Sequence, residues 1–341
     1  MTRNSKRLAL TVGSFTSAAF LLLAFRGLQP EQLWRSLADV SLPWLLIATL
    51  VYFVAVAVIA LRWQFLLGAI TAVPLAALVK LVFIGYMGNN VYPLRAGDAL
   101  RVILLRRNHG VALVRSTTIV AIERTIDGCV MLTFVFVGLL FIDLASREVD
   151  AMLSVTAPLF AALMLLALVL AAAPKLLRRV VSLTLRPLPE RLATIAAQLA
   201  EEIIAGFAAL RSPAHLLGAV VSSFVTWGIE AGAYWLVMRA FDLELNYAVA
   251  LLLVGAVNLA GLIPASPGQV GVNEFVVISI LTALGVPLST ATAYAILAHV
   301  VIWLPITIAG FALLIRQGLG WADIGRARDM QSAADPRLEG A

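Results

Sequence analysis

A chain of 341 residues that is 62% hydrophobic and only 13% charged lies far outside the roughly half-apolar, quarter-charged make-up of water-soluble domains. A soluble enzyme or carrier is thereby excluded, and an integral membrane protein is expected. The net charge of +6 does not point to nucleic acid, because Lys and Arg gather between apolar stretches, where membrane topology and anionic headgroups account for them.

The single cysteine, Cys129, rules out an intrachain disulfide and a cysteine metal cluster and says nothing of compartment. At the N-terminus, Arg3, Lys6 and Arg7 precede an apolar stretch at 8–25. Its length of about 18 residues suits a bilayer span better than a signal-peptide core, and no small-residue cleavage pattern precedes Arg26, so an uncleaved first helix is expected. Further windows long enough for a ~30 Å hydrocarbon core fall at 43–67, 116–142, 155–173, 214–241 and 289–315. Two shorter apolar stretches, 74–93 and 247–264, run into polar turns rich in Pro and Gly, and the second continues into 272–284. Hydrocarbon does not tolerate unpaired backbone groups, so such interruptions predict re-entrant or discontinuous helices that line a protein-covered cavity.

Positive charge orients the chain. Arg95, Arg101, Arg106, Arg107 and Arg115 crowd one connection, and Lys175, Arg178, Arg179, Arg186, Arg191 and Arg211 another. Both are expected inside, with the termini. Asp143, Glu148 and Asp150 outnumber Arg147, and Asp242 with Glu244 outnumbers Arg239, so those connections are expected outside. Each half then crosses three times and carries one re-entrant segment, entering from opposite faces, which is the inverted-repeat plan of many secondary transporters. The expected fold is an all-α polytopic membrane bundle of six full spans plus two re-entrant or broken segments. It forms one transmembrane domain over 1–316, with pseudo-repeats at about 8–142 and 152–316, and a polar cytoplasmic tail at 317–341. The stretch 190–210, apolar at Leu192, Ile195, Leu199, Ile203 and Phe207, reads as an amphipathic surface helix or as a plain connecting helix.

Ionisable residues within spans cost ~2.5 to 3.5 kcal/mol each on insertion scales, and so face a partner or a cavity. Glu123 and Asp127 share a helical face, with Arg124 one step round. They read either as lining a polar cavity with Arg95, Asp98 and Arg101 or as a structural ion-pair network. Glu274, at the head of a helix, reads as a site residue or as a cap. Glu230, the deepest carboxylate, reads as a proton or headgroup contact or as a structural hydrogen-bond partner. Arg62 and Lys80 read mainly as interfacial anchors, with Arg62 a secondary candidate. His109, His215 and His299 have no ligand spacing, so no metal site is expected. Ser266 reads as a turn hydroxyl. Nucleophile-elbow, P-loop and dinucleotide signatures are missing from the sequence, so neither an enzyme nor a cofactor is expected.

Three ordered motifs, Gly88-Asn-Asn-Val-Tyr-Pro-Leu-Arg-Ala-Gly-Asp-Ala-Leu-Arg101, Ala121-Ile-Glu-Arg-Thr-Ile-Asp127 and Leu262-Ile-Pro-Ala-Ser-Pro-Gly-Gln-Val-Gly-Val-Asn-Glu274, resemble the transmembrane region of lysylphosphatidylglycerol synthase, the flippase-like membrane family, over about 8–315. The resemblance implies a bacterial inner-membrane domain with a lipid-accessible cavity that delivers a phospholipid, or a prenyl- or glyco-linked lipid, across the bilayer. It implies also that any lipid-synthesising enzyme is a separate chain. The family pattern falls on Asn90, Pro93, Arg95, Gly97, Asp98, Arg101, Glu123, Arg124, Asp127, Pro264, Gly268, Gly271 and Glu274, with Asp98 where Glu is often found and Gly268-Gln269 in place of a Gly-Gly pair.

The expected substrate-binding set is Asn90, Arg95, Asp98, Arg101, Glu123, Arg124, Asp127, Glu230 and Glu274, with Pro93, Gly97, Pro264, Gly268 and Gly271 shaping the turns. A lipid flippase is the expected function; a membrane-embedded lipid-modifying enzyme or a scaffold subunit is the alternative. Oligomeric state is left open.

Overall fold

The computed structural model describes residues 3–68, 71–92, 96–142, 212–263 and 265–317, with scattered positions between 154 and 207. The described residues are helical, with no strand among them. In chain order the helices are α1 (Arg3–Ala24), α2 (Pro30–Ala38), α3 (Leu42–Gly68), α4 (Leu75–Val91), α5 (Ala96–His109), α6 (Leu113–Leu140), α7 (Pro213–Ala240), α8 (Tyr247–Ala260), α9 (Val272–Ala283) and α10 (Leu288–Arg316).

Three of these, α3, α7 and α10, are long and apolar enough to cross a membrane. The 27 residues of α3 rise ~40 Å at 1.5 Å each, more than a ~30 Å hydrocarbon core. Helix α6 is as long, with 28 residues, but its first half carries Arg115, Glu123, Arg124 and Asp127. In α1 the segment Gly13–Ala24 is a shorter apolar helix. The expected span at 155–173, the acidic connection at 143–150 and the amphipathic stretch at 190–210 fall wholly or largely outside the described residues, as does the tail beyond Gln317.

Both expected interruptions are present. Helix α4 ends at Val91 and α5 starts at Ala96; α8 ends at Ala260, a 3-10 turn follows at Pro267–Gln269, and α9 starts at Val272. Pro93, Arg95 and Pro264 themselves lie outside the described residues. At the first break α5 folds back on α4 with backbones in contact: a Cβ on Gly97 would sit 1.8 Å from the Gly85 carbonyl oxygen and 2.5 Å from the Asn89 nitrogen. At the second, Gly271 has φ +94° and its missing Cβ would fall 2.4 Å from the Ser17 carbonyl oxygen of α1, so only glycine meets both demands. Ser266 N–H donates to Ser17 Oγ at 2.9 Å, which fastens this turn to α1.

The packing has a regular plan. Helix α3 lies along α7; α6 packs on α8 as α10 packs on α4; α4 folds on α5 and α8 on α9. Large apolar side chains remain exposed on outer faces, including Leu46, Leu50 and Val54 of α3 and Leu304, Ile308 and Ile315 of α10. Exposed apolar belts of this kind belong against lipid, while Trp63, Met87, Tyr234 and Tyr294 fill the interior.

Candidate functional site

Six charges meet between α3, α5 and α6. Arg62 of α3 is fully buried and forks between Glu123 and Asp127 of α6, with Ser223 of α7 accepting from the same guanidinium at 3.2 Å. Arg101 of α5, also fully buried, pairs with Asp98 at 2.7 Å and Glu123 at 3.3 Å. Its side chain crosses Gly85, where any Cβ would lie 2.4 Å from Arg101 Cγ, so the glycine of α4 makes the passage through which this arginine reaches α6. Arg124 donates to both oxygens of Asp98 at 2.9 Å and stands 3.7 Å from Asp127.

Two indoles add to the carboxylates' bonding. Trp63 donates to Glu123 at 2.9 Å and Trp227 to Asp127 at 2.7 Å, while the Arg101 guanidinium sits over the Trp63 ring, 4.7 Å from its centre. Three arginines thus face three carboxylates and their formal charges cancel. An unpaired charge in such a place is very costly, whereas a balanced and hydrogen-bonded set is tolerated. Arg124 differs from the other two arginines in being 27% exposed.

That exposure opens onto two cavities. One, of about 420 Å³, is lined by Tyr52, Tyr86, Asn89, Asn90, Arg124, Trp227, Glu230, Tyr234, Asn258, Asn273, His299 and Trp303, together with the turn at 265–269. The other, of about 400 Å³, has a polar end at Asp98, Arg124, Thr125 and Asp127 and an apolar flank at Met131, Leu259 and Leu262. Arg124, Trp227, Asn258 and Leu262 belong to both walls, so the cavities adjoin across Arg124. A third hollow, of about 490 Å³ and lined by Lys80, Arg107 and His109, shares no residue with them.

Asn90, Asp98, Arg124 and Glu230 of the expected substrate set line one or both of these cavities. Arg101 and Glu123 lie behind them as supports. Asp127 does both, holding Arg62 while reaching the apolar-flanked cavity. Glu230 and Asn258 line the 420 Å³ cavity together. Glu274 is at once a cap and a pair: Gly271 N–H donates to its Oε2 at 2.6 Å, and its Oε1 meets His299 Nδ1 at 2.5 Å. Gly268 and Gly271 form the second turn, and Gly97 the α4–α5 contact. Among the described residues no group of three or more His, Cys, Asp or Glu is placed to hold a metal.

Several residues escape a reading of the sequence. Arg62, read there mainly as an interfacial anchor, is instead the hub of the network. Trp63, Trp227 and His299 look like packing residues. For Arg62 the available signal is an arginine deep inside an otherwise apolar stretch; for His299 it is spacing, since it follows Glu274 by 25 positions much as Arg124 follows Asp98 by 26.

The chain is similar to a UPF0104 membrane protein of Pyrococcus horikoshii, 22% identical over 91% of this chain and 96% of that one. It is also similar to a UPF0104 membrane protein of Methanothermobacter thermautotrophicus, 25% identical over 87% and 90%. With the glycosyltransferase AglD of Haloferax volcanii it shares 23% identity over 88% of its own length, but only 53% of that protein's. The model of the lysylphosphatidylglycerol synthase transmembrane region matches residues 8–310, and the chain belongs to that family of integral membrane proteins.

Proposed function

We propose that this protein carries a lipid with a phosphate-bearing headgroup between the two leaflets of the cytoplasmic membrane. The observation that supports the reading is the pair of adjoining cavities meeting at Arg124, one ringed by amides and aromatic hydroxyls and the other apolar along one flank. A headgroup moving through hydrocarbon must shed its water at a cost of several kcal/mol per unmet polar group. A polar-walled cavity replaces those bonds, while an apolar flank accommodates acyl or prenyl chains. Arg124 offers the phosphate a planar, permanently charged donor set, and Arg62 and Arg101 are too deeply enclosed to do so.

The packing plan supports an inverted-repeat reading of the transmembrane domain. Exchanging α4 with α8, α5 with α9 and α6 with α10 maps the observed contacts onto one another: α6 on α8 becomes α10 on α4, and α4 on α5 becomes α8 on α9. The two broken segments then enter from opposite faces, with both termini in the cytoplasm and the site between them. A second reading draws on the relative named as a glycosyltransferase: the chain is the membrane part of a lipid-modifying system whose enzyme is another chain.

Reconstitution tests both. In vesicles holding fluorescent phosphatidylglycerol, the purified protein should expose inner-leaflet probe to an external quencher. Arg124→Ala should slow this by ~10- to 100-fold, equivalent to the ~1.5 to 3 kcal/mol of a charged hydrogen bond. Inner-leaflet probe that stays beyond the quencher's reach with the wild-type protein would remove the translocation reading and leave standing the reading of a membrane part in a lipid-modifying system.

A further inference from the structure

Each broken segment is followed by a helix whose third residue is an acid: Asp98 in α5 and Glu274 in α9. Each acid reaches a base on the next long helix. Asp98 holds Arg124 of α6, and Glu274 holds His299 of α10. The acid-to-base separations are 26 and 25 positions, and Arg124 and His299 both line the 420 Å³ cavity. The two pairs therefore occupy matching places in the two halves and face one chamber from different helices.

The pairs differ in one chemical respect. Arg124 is charged at every accessible pH, whereas an imidazole gains its charge only with a proton. Glu274 has both oxygens engaged, one by the Gly271 N–H and one at His299 Nδ1. A carboxylate at Nδ1 keeps the proton on that nitrogen and leaves Nε2 to serve a ligand, the arrangement that orients many functional histidines. The ring is thus held ready to become a cation paired with Glu274 and presented to the chamber.

Resting on the translocation reading and deepening it, we infer that His299 is a second phosphoryl station, matched to Arg124, and that a phosphate-headed lipid settles there together with one proton. The six-charge network around Arg62 is already balanced, so an arriving anion finds no spare positive charge in it. A proton on His299 cancels the Glu274 charge that would otherwise repel the incoming phosphate. The other titratable groups at this ring or lining its chamber are Glu274 of α9, Glu230 and Tyr234 of α7, Tyr52 of α3, Tyr86 of α4, Tyr92 just after it and, across the chamber, Arg124. None of them adds a positive charge except Arg124, whose Asp98 partner already offsets it.

The decisive measurement is the protonation of the His299 ring in nanodiscs, followed by nitrogen NMR. Its signal is assigned from the three histidines of the sequence by its loss in His299→Gln. Addition of dihexanoyl phosphatidylglycerol should move the midpoint of the His299 titration upward and leave His109 and His215 unmoved. A ~10-fold preference of this lipid for the protonated ring raises the midpoint by about one pH unit. Inorganic phosphate run in parallel separates recognition of a lipid headgroup, where only the lipid acts, from recognition of the phosphoryl group alone, where both act; either result supports the station. A His299 midpoint indifferent to both ligands overturns it.

Leaflet exchange of fluorescent phosphatidylglycerol should be pH-dependent in the wild type, and Glu274→Gln should displace that profile. His299→Arg should abolish the pH dependence while retaining exchange. Exchange that is normal and equally pH-dependent in His299→Gln overturns the station and leaves the translocation reading standing. A ligand-dependent midpoint without any exchange at any pH does the reverse.

Discussion

Arg62 is the residue on which the polar centre turns. It is fully buried, and it alone bridges Glu123 and Asp127. Its removal leaves two carboxylates adjacent, each without its closest cation. Truncating one partner of a buried, hydrogen-bonded pair costs ~3 to 5 kcal/mol, so Arg62→Ala should lose about that much stability, read as a lowered midpoint of unfolding in detergent. The exposed Glu31–Arg35 pair of α2, with side chains 80% and 77% open, provides the contrast: Arg35→Ala should leave the midpoint unchanged, because solvent screens such pairs. Hydropathy places an arginine along a span but not around it, which is why Arg62 looks like an anchor in the sequence. Helix α3 is apolar on all faces, so nothing in its pattern marks the side that turns to α6. The cluster Glu123, Arg124, Asp127 is more legible, since i, i+4 spacing and intramembrane charge both announce a shared partner.

At the scale of elements, the hairpin of α4 and α5 depends on an approach that only glycine permits. A methyl group on Gly97 would overlap backbone atoms of α4, at 1.8 Å from one carbonyl oxygen, and backbone cannot swing aside as a side chain can. Gly97→Ala should force the two helices apart, drag Arg101 from Glu123 and cost upward of ~3 kcal/mol, the upper end of overpacking penalties. Gly110→Ala, at φ +68° with open space around it, should cost only the ~1 kcal/mol of a strained backbone. Relative yields of monodisperse protein, followed by unfolding midpoints, rank the two. The interruptions themselves are plain in the sequence, because Pro and Gly punctuate apolar runs in ways no uniform span would tolerate. What bonds across them is not. The contact of Ser266 with Ser17 spans 249 positions, and pattern along a chain carries no information about such distant neighbours.

For the molecule as a whole, the proposed inverted arrangement makes a prediction about sidedness. In a Cys129→Ser background, Asn108→Cys, on the exposed end of α5, should react with a membrane-impermeant maleimide only from the cytoplasmic side. Asp242→Cys, in the exposed turn after α7, should react only from the opposite side; labelling of both from one side would remove the opposed entry of the two broken segments. A single helix ties those segments together. Asn90 at the end of α4 donates to the Trp303 carbonyl and to Thr307 Oγ1, and accepts from the Trp303 indole. At the same indole nitrogen, Gly268 lies so close that a Cβ there would be 2.5 Å from Trp303 Nε1. Both interruptions are therefore moored to one rod, α10, two residues before its internal Pro305. A bend of that rod displaces both moorings in the same event, so the two interruptions reset in concert, and whatever loosens one is felt at the other.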